Sequence, residues 1–108
     1  MAFVPDRGEV IWIDFDPQAG REQARHRPAL VLSPKEYNSK TSLCVVCPIT
    51  SQRKGYPFEV EIPGDDLSVV LADQVKSLDW RARKAKRKSR VGDEVLAEVI
   101  GKLSALIL

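Results

Sequence analysis

The sequence is poor in the residues that build metal centres and redox sites: among 108 residues it has one histidine and two cysteines. The cysteines form Cys44-Val45-Val46-Cys47, inside an apolar run over 43–49 that reads as a strand. Side chains three apart on a strand point to opposite faces, so the two sulfurs diverge. A redox pair with this spacing sits instead at a helix N-terminus, where the thiolate is stabilised. Both thiols are therefore expected to be small packing groups, and no second Cys/His pair is present to complete a zinc site. A hydrolytic metal centre needs several closely placed carboxylates or histidines. Asp14 and Asp16 are the only close acidic pair near the one long polar loop, and they read as edge and turn residues. No metal and no cofactor is expected.

Other absences narrow the class further. The start lacks a basic segment followed by an apolar run, so no signal peptide is expected. No apolar stretch approaches the roughly 20 residues that span a bilayer. The chain is expected to be cytoplasmic, with no membrane partner. Glycine-rich phosphate loops, Ser/His/Asp nucleophile sets, internal repeats and low-complexity linkers are missing too. The length supports one core, so residues 1–108 are expected to form a single domain.

What the sequence does contain is a series of short strand signals. Residues 9–15 are rich in β-branched and aromatic side chains, 27–33 form a second run and 43–49 a third. Residues 58–62 alternate, with Glu59 and Glu61 opposite Phe58, Val60 and Ile62. A turn is expected over 63–66, with further strands over 69–71, 74–78 and 89–91. Residues 35–40 have room for one helical turn at most. From Asp93 onward, Val95, Leu96, Val99, Ile100, Leu103, Leu106 and Ile107 mark one face of a helix, within which Gly101 suggests a close packing contact. The fold class is mainly β, a small and strongly bent antiparallel sheet or barrel with a C-terminal helix.

Charge is segregated. Seven of the ten residues 81–90 are basic, whereas Glu59, Glu61, Asp65 and Asp66 lie elsewhere, which suits a surface facing a polyanion or simply a solvated loop. The long polar loop over 16–26 leads to Glu22-Gln23-Ala24-Arg25-His26-Arg27-Pro28, which holds the only histidine. A carboxylate, an imidazole and guanidinium groups together can grip a phosphodiester and move its protons. Pro28 drives Arg27 toward an extended backbone, and Thr50 and Ser51 close the third strand beside it. Taken singly, His26 can also be read as a surface imidazole, Arg27 as a surface ion pair and Thr50 as a turn cap. Their joint placement points to phosphate chemistry. Without metal ligands that chemistry points to RNA, whose 2′-hydroxyl supplies the nucleophile.

Gly8-Glu9-Val10-Ile11-Trp12-Ile13-Asp14-Phe15-Asp16-Pro17, Glu22-Gln23, His26 through Ser33, Pro48-Ile49-Thr50-Ser51, Gly55-Tyr56-Pro57-Phe58 and 71–83 together resemble MazF-type toxins, of the wider family that includes Kid, PemK and CcdB. The resemblance covers nearly the whole chain in order. It implies an SH3-like barrel and a homodimer. It implies a sequence-specific, metal-independent endoribonuclease that cuts single-stranded RNA (mRNA) to 2′,3′-cyclic phosphate and 5′-hydroxyl ends, inhibiting translation and growth. The implied partner is a MazE-like antitoxin whose acidic tail covers the RNA site. By the same resemblance Arg27 and Thr50 are the main catalytic residues, with Glu22 and His26 in the site. CcdB-like relatives inhibit DNA gyrase by protein contact, the alternative activity, but Arg27 and Thr50 favour the ribonuclease branch.

In such a site Arg27 is expected to stabilise the phosphorane, because a guanidinium with a pKa above about 12 scarcely loses its proton. Thr50 is expected to orient the phosphate or relay a proton, and either Glu22 or His26 to titrate. RNA contacts are expected from Ser51, Gln52, Lys54 and Lys76, and from Arg81, Arg83, Lys84, Lys86 and Arg87 in the basic stretch.

Overall fold

Alternation along the first three strands sets the frame. The computed structural model describes residues 3–15 and 26–108, excepting the side chains of 66 and 67. Strands β1 (Glu9–Asp14), β2 (His26–Val31) and β3 (Leu43–Thr50) pair in antiparallel succession, Ile11 facing Ala29 and Ala29 facing Pro48. Their side chains divide between two hydrophobic clusters. Ile11, Ile13, Ala29, Val31, Cys44 and Val46 enter one with Phe15, Leu78 and Trp80; Val10, Leu30, Cys47 and Ile49 enter the other. The strands are thus buried on both faces, and the two cysteines fall into different clusters, as their spacing requires. Both are free thiols that burial pushes up to about 12.

Pro28 and Pro48 have no amide proton to donate, and the β2–β3 ladder ends at Ala29 and Pro48. From there β3 passes to β5 (Asp65–Leu71), with Ile49 opposite Val70 and Thr50 opposite Val69. β4 (Glu59–Ile62) pairs with β5, β6 (Lys76–Asp79) with the start of β3, and β7 (Lys86–Arg90) with β1. The strand order β4-β5-β3-β2-β1-β7 bends into a half-barrel whose edges are β4 and β7. Helix α2 (Asp93–Ile107) covers its open side, burying Val95 and Val99 against the cluster of Val10 and Ile49. Lys102 Nζ donates to the carbonyls of Pro57 and Glu59 and ties the helix to β4.

Several expectations need correction. Helix α1 (Lys35–Thr41) has seven residues, more than the single turn expected. Its end is fixed by Ser42 in a left-handed conformation, whose N–H returns to the Asn38 carbonyl. Asp65 and Asp66 begin β5, so the turn over 63–66 shrinks to Pro63-Gly64, where Gly64 takes φ 84°. The basic stretch is itself a strand for half its length: lysine-rich β7 lies at an edge, where charged side chains stay solvated. A Cβ at Gly101 would meet nothing within 4 Å, so that glycine marks no close contact.

Asn38 is the polar pin of this frame. Its fully buried amide donates to the carbonyls of Pro5 and Ser33 and accepts from Ser33 Oγ, while its own carbonyl accepts from Trp80 Nε1. Asn38→Ala leaves those acceptors buried without donors. It should lower unfolding free energy by about 2–3 kcal/mol in a urea titration, with an unchanged m-value.

Candidate active site

Arg27 and Thr50 share one side of the sheet. Ala29 and Pro48 are paired, and side chains two apart on a strand lie on the same face. Arg27, two before Ala29, and Thr50, two after Pro48, therefore project to the side of Ile13 and Val46 at the strand ends where β2 and β3 part. Thr50 is buried, and its Oγ1 accepts the Gln52 amide at 3.1 Å, which leaves its O–H to donate. Lys76 lies opposite Val46 on this same face.

A cleft of about 60 Å³ opens beside Thr50, lined by Gln52, Lys54, Tyr56, Glu59, Asp73 and Gln74 among others. Gln74 Oε1 is buried there and meets no donor among the described residues. The carboxylate of Glu59 receives the amides of Lys54 and Gly55, fixing the segment after Thr50. Lys54 Nζ stands 5.9 Å from the Tyr56 ring, and Ser51 is exposed.

His26 faces the other way. It is paired with Asp14 and belongs to the face of Trp12 and Pro28, on which its ring stacks against Trp12 with centroids 5.9 Å apart and planes 11° from parallel. One residue along β2 thus separates the imidazole from Arg27 by the thickness of the sheet. Glu22, with the rest of the loop over 16–25, lies outside the described residues.

The basic stretch divides as well. Arg81 packs over Trp80 at 4.4 Å, Arg83 donates to the Asp14 carbonyl at the end of β1, and Arg87 pairs with the largely buried Glu9 carboxylate at 3.2 Å. These three are engaged with the fold itself. Asp79, which starts the turn into this stretch, has its carboxyl held below the usual range chiefly by the Ala82 amide, then by the Ser42 hydroxyl. Lys84 is exposed with φ 56°. Lys86 lies opposite Trp12, and Lys88, two residues along β7, stands over the Trp12 ring, 5.5 Å from its centre.

Trp12, Asp73 and Gln74 were not among the expected site residues, whereas Lys88 belongs to the basic stretch expected to meet RNA. Trp12 was legible: it shares a face of β1 with Val10, and it is only partly buried within that strand. Gln74 carried no local signal, since its burial depends on β5 and β6 folding back on β3.

Among the described residues no group of three or more His, Cys, Asp or Glu could hold a metal ion, and no helix is long and apolar enough to cross a membrane. Residues 6–107 match the family described as PemK-like, MazF-like toxin of type II toxin–antitoxin system. The chain is 55% identical over 106 residues to the endoribonuclease toxin MazF of Escherichia coli strain K12, covering 97% of this chain and 96% of that one. A crystal structure of MazF from Deinococcus radiodurans superimposes with a TM-score of 0.94 at 53% identity, covering 98% of each chain. A MazE–MazF crystal structure from the same organism gives 0.88 at 53% identity, over 98% of this chain and 97% of that one.

The unequal engagement of the basic residues has a measurable consequence. Lys86→Glu should weaken binding of single-stranded RNA and flatten the plot of log affinity against log salt by about one unit or more. Arg87→Ala should leave that slope nearly unchanged and lower thermal stability instead. Salt titrations by fluorescence anisotropy separate the two.

Proposed function

The chain belongs to the PemK-like, MazF-like toxins of type II toxin–antitoxin systems and is an endoribonuclease toxin, and on that premise we propose that it cuts single-stranded mRNA with Arg27 and Thr50 at the scissile phosphate. The observation that carries this assignment is their common face at the parting of β2 and β3, with the Thr50 hydroxyl oriented by the Gln52 amide. The 2′-oxygen attacks the adjacent phosphorus, and the 5′-oxygen leaves and is protonated. A 2′,3′-cyclic phosphate and a 5′-hydroxyl remain. Arg27 holds two phosphorane oxygens with parallel N–H donors, and Thr50 donates to one as its charge grows. No metal takes part in this reading.

The proton of the 2′-hydroxyl needs an acceptor on the Arg27 face. The turn of His26 toward Trp12 supports Glu22 for that role. Gln74 Oε1, buried in the cleft of Thr50 with no donor among the described residues, is suited to accept from the nucleotide. Ser51, Gln52, Lys54 and Lys76 would line the path of the strand on this side.

We further propose that residues 1–108 act as one cytoplasmic domain and pair as a homodimer. A shallow apolar groove of about 500 Å³ runs between Leu32, Tyr37, Val45, Ile100 and Leu103, beside exposed Leu106 and Ile107, an apolar area of the kind that marks a protein interface. The MazE–MazF relatives support a MazE-like antitoxin as partner, and the basic β7 edge suits an acidic tail.

Arg27→Ala and Thr50→Val should each lower kcat on a defined RNA by about 10²–10³ in the presence of EDTA, whereas Thr50→Ser keeps most of the activity. A 2′-deoxy nucleotide at the cut should block the reaction; cleavage of that substrate, or intact RNA together with inhibited DNA supercoiling, would refute the mechanism. Ile100→Asp should convert a dimer to a monomer in light scattering after gel filtration, and a wild-type monomer would remove the dimer from the account.

A further inference from the structure

The half-barrel leaves a gap where its two edges approach. A recess of about 330 Å³ lies there, between the β4–β5 turn and β7. Its apolar wall comes from Trp12, Pro28, Ile49 and Ile62, and Lys88 and Arg90 supply cations. The hydroxyls of Ser68 and Ser89 and the carboxyl of Asp65 also border it. The volume is at the low end for a ligand site, enough for one flat heterocycle.

The Trp12 side of this recess is organised beyond what packing alone requires. His26 stacks on the indole from one neighbouring position and Lys88 approaches it from another. Neither His26 nor Lys88 is buried, so neither serves the core. An aromatic platform flanked by cations is the chemistry that recognises a nucleobase with its phosphate. The recess also lies one residue from Arg27, because Pro28 forms part of its wall.

Resting on the ribonuclease reading above, we propose that this recess is a subsite for one unpaired nucleobase of the RNA, adjoining the cut phosphate but across the sheet from it. The base lies against Trp12, and Lys88 and Arg90 face its phosphate. His26 acts as a positioning residue whose ring holds the indole, not as a carrier of protons. The strand passes over the end of β2, with its scissile phosphate on the Arg27 side and a neighbouring base on the Trp12 side.

The test uses steady-state cleavage of a short RNA and anisotropy with the same sequence blocked by a 2′-deoxy nucleotide. Trp12→Ala should raise KM and the Kd of the blocked strand by roughly tenfold to a hundredfold, the range of one base stack, with kcat within about threefold of wild type. His26→Ala should shift KM the same way, and His26→Phe, which keeps a ring but cannot titrate, should restore it without altering the pH–rate profile. Removing the base next to the cut should cost wild type the same factor and cost Trp12→Ala nothing more.

Loss of kcat with a missing pH limb in His26→Phe would overturn the positioning role. An unchanged Kd in both Trp12→Ala and Trp12→Phe would overturn the subsite. So would an unchanged Kd for RNA alongside lost antitoxin binding, which would assign the recess to the protein partner. Should wild type bind the blocked strand yet cut no RNA, the ribonuclease reading fails while the anisotropy series still decides the subsite.

Discussion

Everything in this molecule depends on the burial of β1, β2 and β3 on both faces. Ile11, Ile13, Ala29, Val31 and Val46 fill one cluster while Val10, Leu30, Cys47 and Ile49 fill the other. A slip of one residue between any two strands would exchange these sets and place each side chain in the wrong cluster. Each large aliphatic group contributes about 1.5–3 kcal/mol through its burial, so the register is held far more firmly than any single contact could hold it. The strand ends inherit that rigidity. Arg27 and Thr50 stay together because Ala29 and Pro48 do, and His26 is kept apart from Arg27 by the same alternation.

The two prolines and the unclosed edges open this frame at two places. Where the β2–β3 ladder stops at Ala29 and Pro48, β3 changes partner to β5, and the parting leaves Arg27 half-buried and the buried Thr50 beside a cleft. Where β4 and β7 fail to meet, the recess beside Trp12 remains. The basic stretch serves both frame and surface. Arg81, Arg83 and Arg87 brace Trp80, β1 and Glu9, and Lys86 and Lys88 attend the Trp12 face. Within this stretch Arg81, Arg83 and Arg87 take the fixed, directional contacts and the lysines stay solvated, in keeping with their geometry.

Much of this was legible in the sequence. β-branched and apolar runs located β1 and β3, period-two patterning located β4 and the separation of the cysteines, and period 3.6 located α2. The resemblance to MazF-type toxins rested on motifs spread along the chain and anticipated the family that residues 6–107 match. What was not legible depended on contacts between distant segments. The length of α1 follows from Asn38 reaching Pro5 and Trp80, and β7 from pairing with β1. The cluster from Glu22 to Pro28 read as one group because it is continuous in sequence, yet an extended backbone sends His26 and Arg27 to opposite sides. Glu22 and its loop lie outside the described residues, so its assignment rests on what the Arg27 face requires.

The central claim is that one strand end divides the labour, with phosphate chemistry on one face and base recognition on the other. The most direct measurement is a crystal structure of the Thr50→Val variant with an RNA strand blocked by a 2′-deoxy nucleotide at the cut. The account predicts the scissile phosphate in contact with Arg27 and a neighbouring base against Trp12 across the sheet. A strand lying wholly on the Arg27 face with the Trp12 recess empty, or His26 turned to contact the 2′-position, would contradict it.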